Sequence, residues 1–155
     1  MQTAKFCIYC FWKPQKQFDS VKGVLKTEVG YIGGNKENIT YEECCTKETN
    51  ACEAIILEFD EKIISYKEIV THFFNFHTLD QLDGIDPNVG SNYRSHIYTV
   101  GNEQKKTAEK VLDEINKKLK KEVVTKITSD TGVLYCRAED FHQQYLLRNL
   151  LPYQY

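Results

Sequence analysis

Among the six cysteines of this chain, Cys10 is followed at once by Phe11 and Trp12, which sets a thiol beside two large apolar faces. The residues before it, 3–9, alternate polar and apolar and are rich in β-formers, so they read as a strand. After it, Pro14 suits the first turn of a helix, where its missing N–H costs nothing. Residues 15–20 can then run as a helix that buries Phe18, with Val21 just beyond. Cys10 therefore falls at a strand-to-helix junction. Unpaired N–H groups and the positive end of the helix dipole lower a thiol's pKa there and favour the reactive thiolate. A nucleophile between aromatic walls suits a substrate with a small apolar group next to a reactive heteroatom. Burial of the same three residues in a core is the alternative reading.

Length and composition bound the rest. A chain of 155 residues, 41% hydrophobic and 27% charged, fits one globular domain over residues 1–155 with a sizeable core. The net charge of -2 gives no basic field for nucleic acid. No apolar run approaches the roughly 18 residues of a membrane span. The N-terminus lacks a basic segment followed by an apolar core, so the expectation is a cytoplasmic protein with reduced cysteines and no structural disulfide. A monomer is expected.

The elements that must position Cys10 follow in order. Residues 24–31 read as a second strand ending in Gly30-Tyr31-Ile32-Gly33-Gly34, where glycine allows positive φ and close backbone approach. Thr40 caps a short helix through Glu43. Residues 53–59 form a third strand, and their apolar run places it centrally. Ser65-Tyr66-Lys67-Glu68 is a capping box that opens a helix with Ile69, Val70, Phe73 and Phe74 as its buried stripe and His77 near its end. Residues 78–94 show no period and form a long loop punctuated by Gly84, Pro87 and Gly90. Residues 95–100 return to strand. Residues 102–121 are an amphipathic helix with Ala108, Val111, Leu112, Ile115 and Leu119 on one face. Strands at 123–128 and 133–136 and a helix over 138–147 complete the chain. Strands and helices mix without strict alternation, which predicts an α+β fold with a mixed sheet.

Taken together, seven stretches resemble the methionine sulfoxide reductase A family. They are Cys10-Phe11-Trp12, Gly30-Tyr31-Ile32-Gly33-Gly34, Thr40-Tyr41-Glu42-Glu43, Glu53-Ala54, Ile64-Ser65-Tyr66, Tyr93-Arg94-Ser95 and the run from Ala138 to Leu146. They occur in the family's order and cover nearly the whole chain. The resemblance implies a two-layer α/β sandwich with a ferredoxin-like core. It also implies thiol-dependent reduction of the S-epimer of methionine sulfoxide, free or in proteins. In that reading Cys10 is the nucleophile, and Phe11 and Trp12 hold the substrate methyl group. Glu53 protonates the sulfoxide oxygen, which requires an apolar site that keeps its proton on. Tyr41 and Tyr93 are hydroxyl donors to that oxygen. The family's loop aspartate falls on Asn88 by direct alignment or on Asp86 with a two-residue insertion. Tyr9 replaces a usual glycine, and Lys13-Pro14-Gln15 replaces a Gly-x-Glu-like stretch. His142 and His77 read as packing or hydrogen-bonding residues.

Other readings of the cysteines stay open. Cys7-Ile8-Tyr9-Cys10 is a C-x-x-C that a thioredoxin-like oxidoreductase would close as a redox disulfide. A zinc module would use Cys7, Cys10, Cys44 and Cys45, although adjacent cysteines space poorly for a tetrahedral site. For the sulfoxide reaction, no cysteine follows the His142-Gln143-Gln144-Tyr145-Leu146 motif. Two routes of recycling then stay open: an external thiol, glutathione with glutaredoxin or thioredoxin, which is slightly favoured, or an internal cysteine; no bound cofactor is expected. The internal candidates for a resolving thiol are Cys44, Cys45 and Cys52, around the turn at 46–50, and Cys136. Cys7 lies within a strand and is poorly placed to reach Cys10.

Overall fold

The computed structural model describes residues 1–8, 11–46, 49–76, 95–120, 123 and 125–149. Six strands form one mixed sheet: β1 (Gln2–Cys7), β2 (Val24–Ile32), β3 (Cys52–Phe59), β4 (His96–Thr99), β5 (Lys126–Ser129) and β6 (Tyr135–Arg137), in the order β5-β4-β1-β3-β2-β6. Only β4 and β5 run parallel among these pairs. The helices are α1 (Trp12–Asp19), α2 (Tyr41–Cys45), α3 (Tyr66–Asn75), α4 (Gly101–Leu119) and α5 (Tyr145–Asn149). The four central strands, β4-β1-β3-β2, are all antiparallel and connected as βαββαβ, apart from the short α2. That is the ferredoxin-like core expected from the resemblance.

Alternation along β1 and β3 sends Ala4, Phe6 and Ile8 to one face with Ile55, Leu57 and Phe59. There they pack with Phe18 of α1, the stripe Ile69, Val70, Phe73 and Phe74 of α3, and Ala108 and Val111 of α4. Phe6 is the hub: its ring lies 5.7 Å from Phe18 and 4.8 Å from Phe73. The apolar run of residues 53–59 is central as predicted, with β1 on one side and β2 on the other. Both caps form: Thr40 and Glu43 make a reciprocal capping box, and the Ser65 side chain accepts from the Glu68 N–H. No helix among the described residues is long and apolar enough to cross a membrane.

Three expectations need correction. The strand expected from 123 begins at Lys126, and the one expected at 133 begins at Tyr135. The helix expected over 138–147 is interrupted: a 3-10 turn covers Asp140–His142, Gln144 takes a left-handed φ of 55°, and α5 starts at Tyr145. The third correction is chemical. Reduced cysteines were expected, yet Cys7 and Cys52 form a disulfide with Cα atoms 6.3 Å apart. The strand register explains it. Cys7 pairs with Ala54, so Cys52 is its diagonal neighbour on the same face, within the usual Cα range of about 4.4–6.8 Å. Both sulfurs are buried with Ile32, Ala54 and Tyr98 on the face away from α1 and α3.

Candidate active site

Glu53 is the second residue of β3 and is fully buried. Its neighbours Cys52 and Ala54 turn to the disulfide face, so Glu53 points to the helix side of the sheet. Tyr31 of β2 stands directly opposite in the register. The Phe11 N–H donates to Glu53 Oε1 at 3.3 Å. This bond ties the residue that follows Cys10, and precedes the first turn of α1, to a buried carboxyl. Pro14 occupies that first turn, as expected.

Phe11 is 1% exposed and packs with Val29, Tyr31, Ile39, Cys44, Ala51 and Ala138, with Trp12 and Tyr41 at the edge of this second core. Gly30, on the opposite face of β2, lets the neighbouring strand in: a Cβ there would sit 2.5 Å from the Cys136 carbonyl oxygen, so only glycine lets β6 pair so closely. Gly33, at φ 79°, then turns the chain out of β2.

The interrupted segment after β6 builds the rest of the wall. The Trp12 indole N–H donates to His142 Nδ1 at 3.0 Å, and its ring stacks on Tyr145 with centroids 3.7 Å apart. The His142 ring also meets Phe11 at 5.2 Å and Tyr41 at 4.7 Å. Gln143 anchors this arrangement: its Oε1 accepts from Val29 N–H at 3.0 Å, and its Nε2 donates to the carbonyls of Val29 and Ala138. The Gln144 N–H donates to Gln15 Oε1 of α1 at 2.7 Å. Glu139 accepts from the Tyr31 hydroxyl at 2.7 Å and from the Tyr41 N–H at 3.1 Å.

The electrostatics follow from these contacts. Burial, and then the hydrogen bond to Glu139, pushes the Tyr31 phenol far up. For Glu139 burial acts upward, but the Tyr41 N–H, its own N–H, the Tyr31 hydroxyl and His142 outweigh it and hold the carboxyl below the ordinary range. Burial lowers the His142 imidazole, partly offset by the charge of Glu139.

Of the sequence-expected site residues, the fold brings Phe11, Trp12, Tyr41 and Glu53 to one end of the helix-side core. Cys10, Tyr93, Asp86 and Asn88 lie outside the described residues, as do His77 and the whole of the long loop at 78–94. The candidate thiols separate. Cys52 is bonded to Cys7. Cys44 is buried and its Sγ faces the Ala51 carbonyl at 3.6 Å; Cys45 is exposed; Cys136 is half-buried on β6. With Cys7 taken up by Cys52, both the C-x-x-C disulfide and the zinc module lose a member. Tyr31, Glu139, His142, Gln143 and Tyr145 had not been assigned site roles. Their presence in the quoted motifs was the available signal, but local pattern gave no partner for any of them.

Known proteins share this sequence pattern and this fold. Residues 2–155 match the family model described as peptide methionine sulfoxide reductase. A peptide methionine sulfoxide reductase of Pelagibacter ubique is 44% identical over 146 residues, which span 94% of this chain and 98% of that protein. One from Pasteurella multocida is 40% identical over 148 residues, spanning 96% and 84%. The solved methionine sulfoxide reductase A of Corynebacterium diphtheriae has a TM-score of 0.87 at 32% identity, covering 97% of this chain and 77% of that one. With this fold, and with a match over all but its first residue, the chain belongs to the peptide methionine sulfoxide reductase family, oxidoreductases that reduce methionine sulfoxide.

Proposed function

We propose that Cys10 performs the reduction of the S-epimer of methionine sulfoxide, free or in proteins, against a wall of Phe11 and Trp12. The observation that carries this assignment is the bond from the Phe11 N–H to the fully buried Glu53. It holds an acid next to the residue that follows the nucleophile. The Cys10 thiolate attacks the sulfoxide sulfur while Glu53 delivers a proton to the oxygen. The S–O bond breaks as the protonated oxygen passes to the Cys10 sulfur, methionine leaves with the sulfur electron pair restored, and the cysteine is oxidised by two electrons to a sulfenic acid. Burial disfavours the charged carboxylate and so favours the proton-carrying form this step needs. Tyr41 and Tyr93 donate to the oxygen. Asp86 or Asn88 completes the substrate contacts. The apolar wall accepts the methyl group and rejects the polar oxygen, which selects the epimer.

Recycling by an external thiol completes the cycle. One thiol condenses with the sulfenic acid and releases water, and a second reduces the mixed disulfide and frees Cys10. Glutaredoxin with glutathione, or thioredoxin, supplies these equivalents in a cytoplasmic setting. Bonding of Cys52 to Cys7 and burial of Cys44 support this route over an internal one. Cys45 is the exposed internal alternative.

The test is one equivalent of each sulfoxide epimer without added reductant. Methionine from the S-epimer alone, with Cys10 trapped as its dimedone adduct, is the expected result, and Cys10→Ser should yield none. Equal turnover of both epimers, or turnover by Cys10→Ser, defeats the assignment. A rapid new disulfide to Cys45 defeats the external route only.

A further inference from the structure

The buried imidazole of His142 has a part that the reaction above does not use. An indole N–H is only a donor, so the 3.0 Å bond from Trp12 makes His142 Nδ1 an acceptor without a proton. The neutral ring therefore carries its proton on Nε2. That atom is buried and has no hydrogen-bond partner among the described residues, in a side chain 1% exposed. The ring cannot turn over without losing the indole, because Phe11, Tyr41 and Phe141 pack against it, the last at 4.0 Å.

We infer that His142 is a positioning residue that fixes the Trp12 wall through Nδ1, so that substrate affinity follows the charge state of this ring. The inference rests on Trp12 being the methyl wall. In the imidazolium both nitrogens carry protons, and Nδ1–H would face the indole N–H, donor against donor. The bond breaks, and Trp12 keeps its stack on Tyr145 and its packing at the edge of the second core but loses the one bond that orients its indole N–H among the described residues.

The titratable groups facing His142 among the described residues come from three elements. Glu139, at the foot of its own turn, favours the cation; Tyr41 of α2 and Tyr31 of β2 adjoin through the same carboxylate. Phe11 and Trp12 bring no charge. Burial works against the cation and Glu139 for it, and burial prevails. The switch therefore lies below the ordinary imidazole range of about 6.5.

Trp12 is the sole tryptophan of the chain, so fluorescence excited at the red edge, where tyrosine does not absorb, reports on this residue's surroundings alone. The experiment titrates wild type, His142→Asn and His142→Leu from neutral to mildly acid pH, reading fluorescence and then KM and kcat for methionine S-sulfoxide. An asparagine oxygen can accept from the indole but does not titrate; leucine does neither. Wild type should show a reversible fluorescence step below about pH 6.5, with KM rising over the same step. His142→Leu should hold KM at every pH roughly five- to tenfold above the neutral wild-type value, the loss of about one hydrogen bond, with a smaller change in kcat. His142→Asn should recover most of that loss and abolish the fluorescence step. A flat wild-type fluorescence profile overturns the inference, as does a step that persists in His142→Asn or a KM that leucine leaves alone. The fluorescence arm needs neither substrate nor turnover, so it succeeds or fails independently of the proposed reaction.

Discussion

Glu53→Gln separates the proposed proton delivery from everything else Glu53 does. Glutamine keeps the side-chain length, and its amide oxygen can still accept from the Phe11 N–H across 3.3 Å. It cannot hand over a proton as a carboxylic acid does. General acid catalysis contributes about 10²–10⁴-fold, which is about 2.7–5.4 kcal/mol of barrier at about 1.36 kcal/mol per decade. The loss should fall on the chemical step, with a modest change in affinity, because walls and backbone bonds are kept. Stability should hold or rise slightly, since an ionisable group leaves a fully buried site. Glu53→Ala makes the contrast: it also leaves the Phe11 N–H without its acceptor, at a further cost of about 1–3 kcal/mol in stability. The assay is quenched-flow single turnover with enzyme in excess over methionine S-sulfoxide, which removes recycling from the observed rate. A Glu53→Gln rate equal to wild type refutes the acid role, whatever the steady-state rate does.

Three further outcomes are expected. Gln143→Leu leaves the buried Val29 N–H without its acceptor and should lower stability by about 1–3 kcal/mol, read as a drop in Tm; an unchanged Tm would mean that the anchor is dispensable. Cys52→Ala opens a bridge across 45 residues, worth about 4 kcal/mol in the chain-entropy limit. Denaturing alkylation and peptide mapping of wild type should recover the Cys7–Cys52 pair even after native treatment with a mild thiol, because both sulfurs are buried; free Cys7 and Cys52 would contradict this. The carboxyl of Glu139, lowered in the fold, stabilises fully above its unfolded value of about 4.3, and this is lost as pH falls through the folded value. Thermal melts of Glu139→Gln should thus fall less steeply with acid in that window than wild type; parallel curves would discount the carboxylate.

The elements legible in the sequence were those whose pattern is local. The stripe Ile69, Val70, Phe73 and Phe74, the alternation of β1, the apolar run of β3 and the boxes at Thr40 and Ser65 each declare themselves within a few residues. So did the tight places at Gly30 and Gly33. The helix expected over 138–147 failed for a physical reason. Its glutamines, tyrosine and leucines favour helix in isolation, but the Gln143 side chain is claimed by the backbone of β2 and the Gln144 N–H by Gln15. Partners more than a hundred residues away leave no mark on local propensity. The Cys7–Cys52 bridge was hidden likewise, because strand register, not cysteine spacing, makes those two residues diagonal neighbours.

That interrupted segment is also what makes the wall rigid. Phe11 gives α1 no side-chain cap, and α2 is five residues long. Helices this short do not hold themselves in water, where nucleation is costly and few bonds propagate. Each is instead pinned at its start by a group from beyond β6. Glu139 takes the first N–H of α2 and the hydroxyl of Tyr31, while His142 takes the indole at the first residue of α1. Gln143 fastens both pins to the central sheet, in which Glu53 stands opposite Tyr31. The proposed acid thus comes from the middle of the chain, the aromatic wall from its beginning, and their relative placement from the residues near its end. If the wall holds the substrate methyl group as proposed, a substitution at Glu139 or Gln143 should therefore raise KM for methionine S-sulfoxide without touching the substrate.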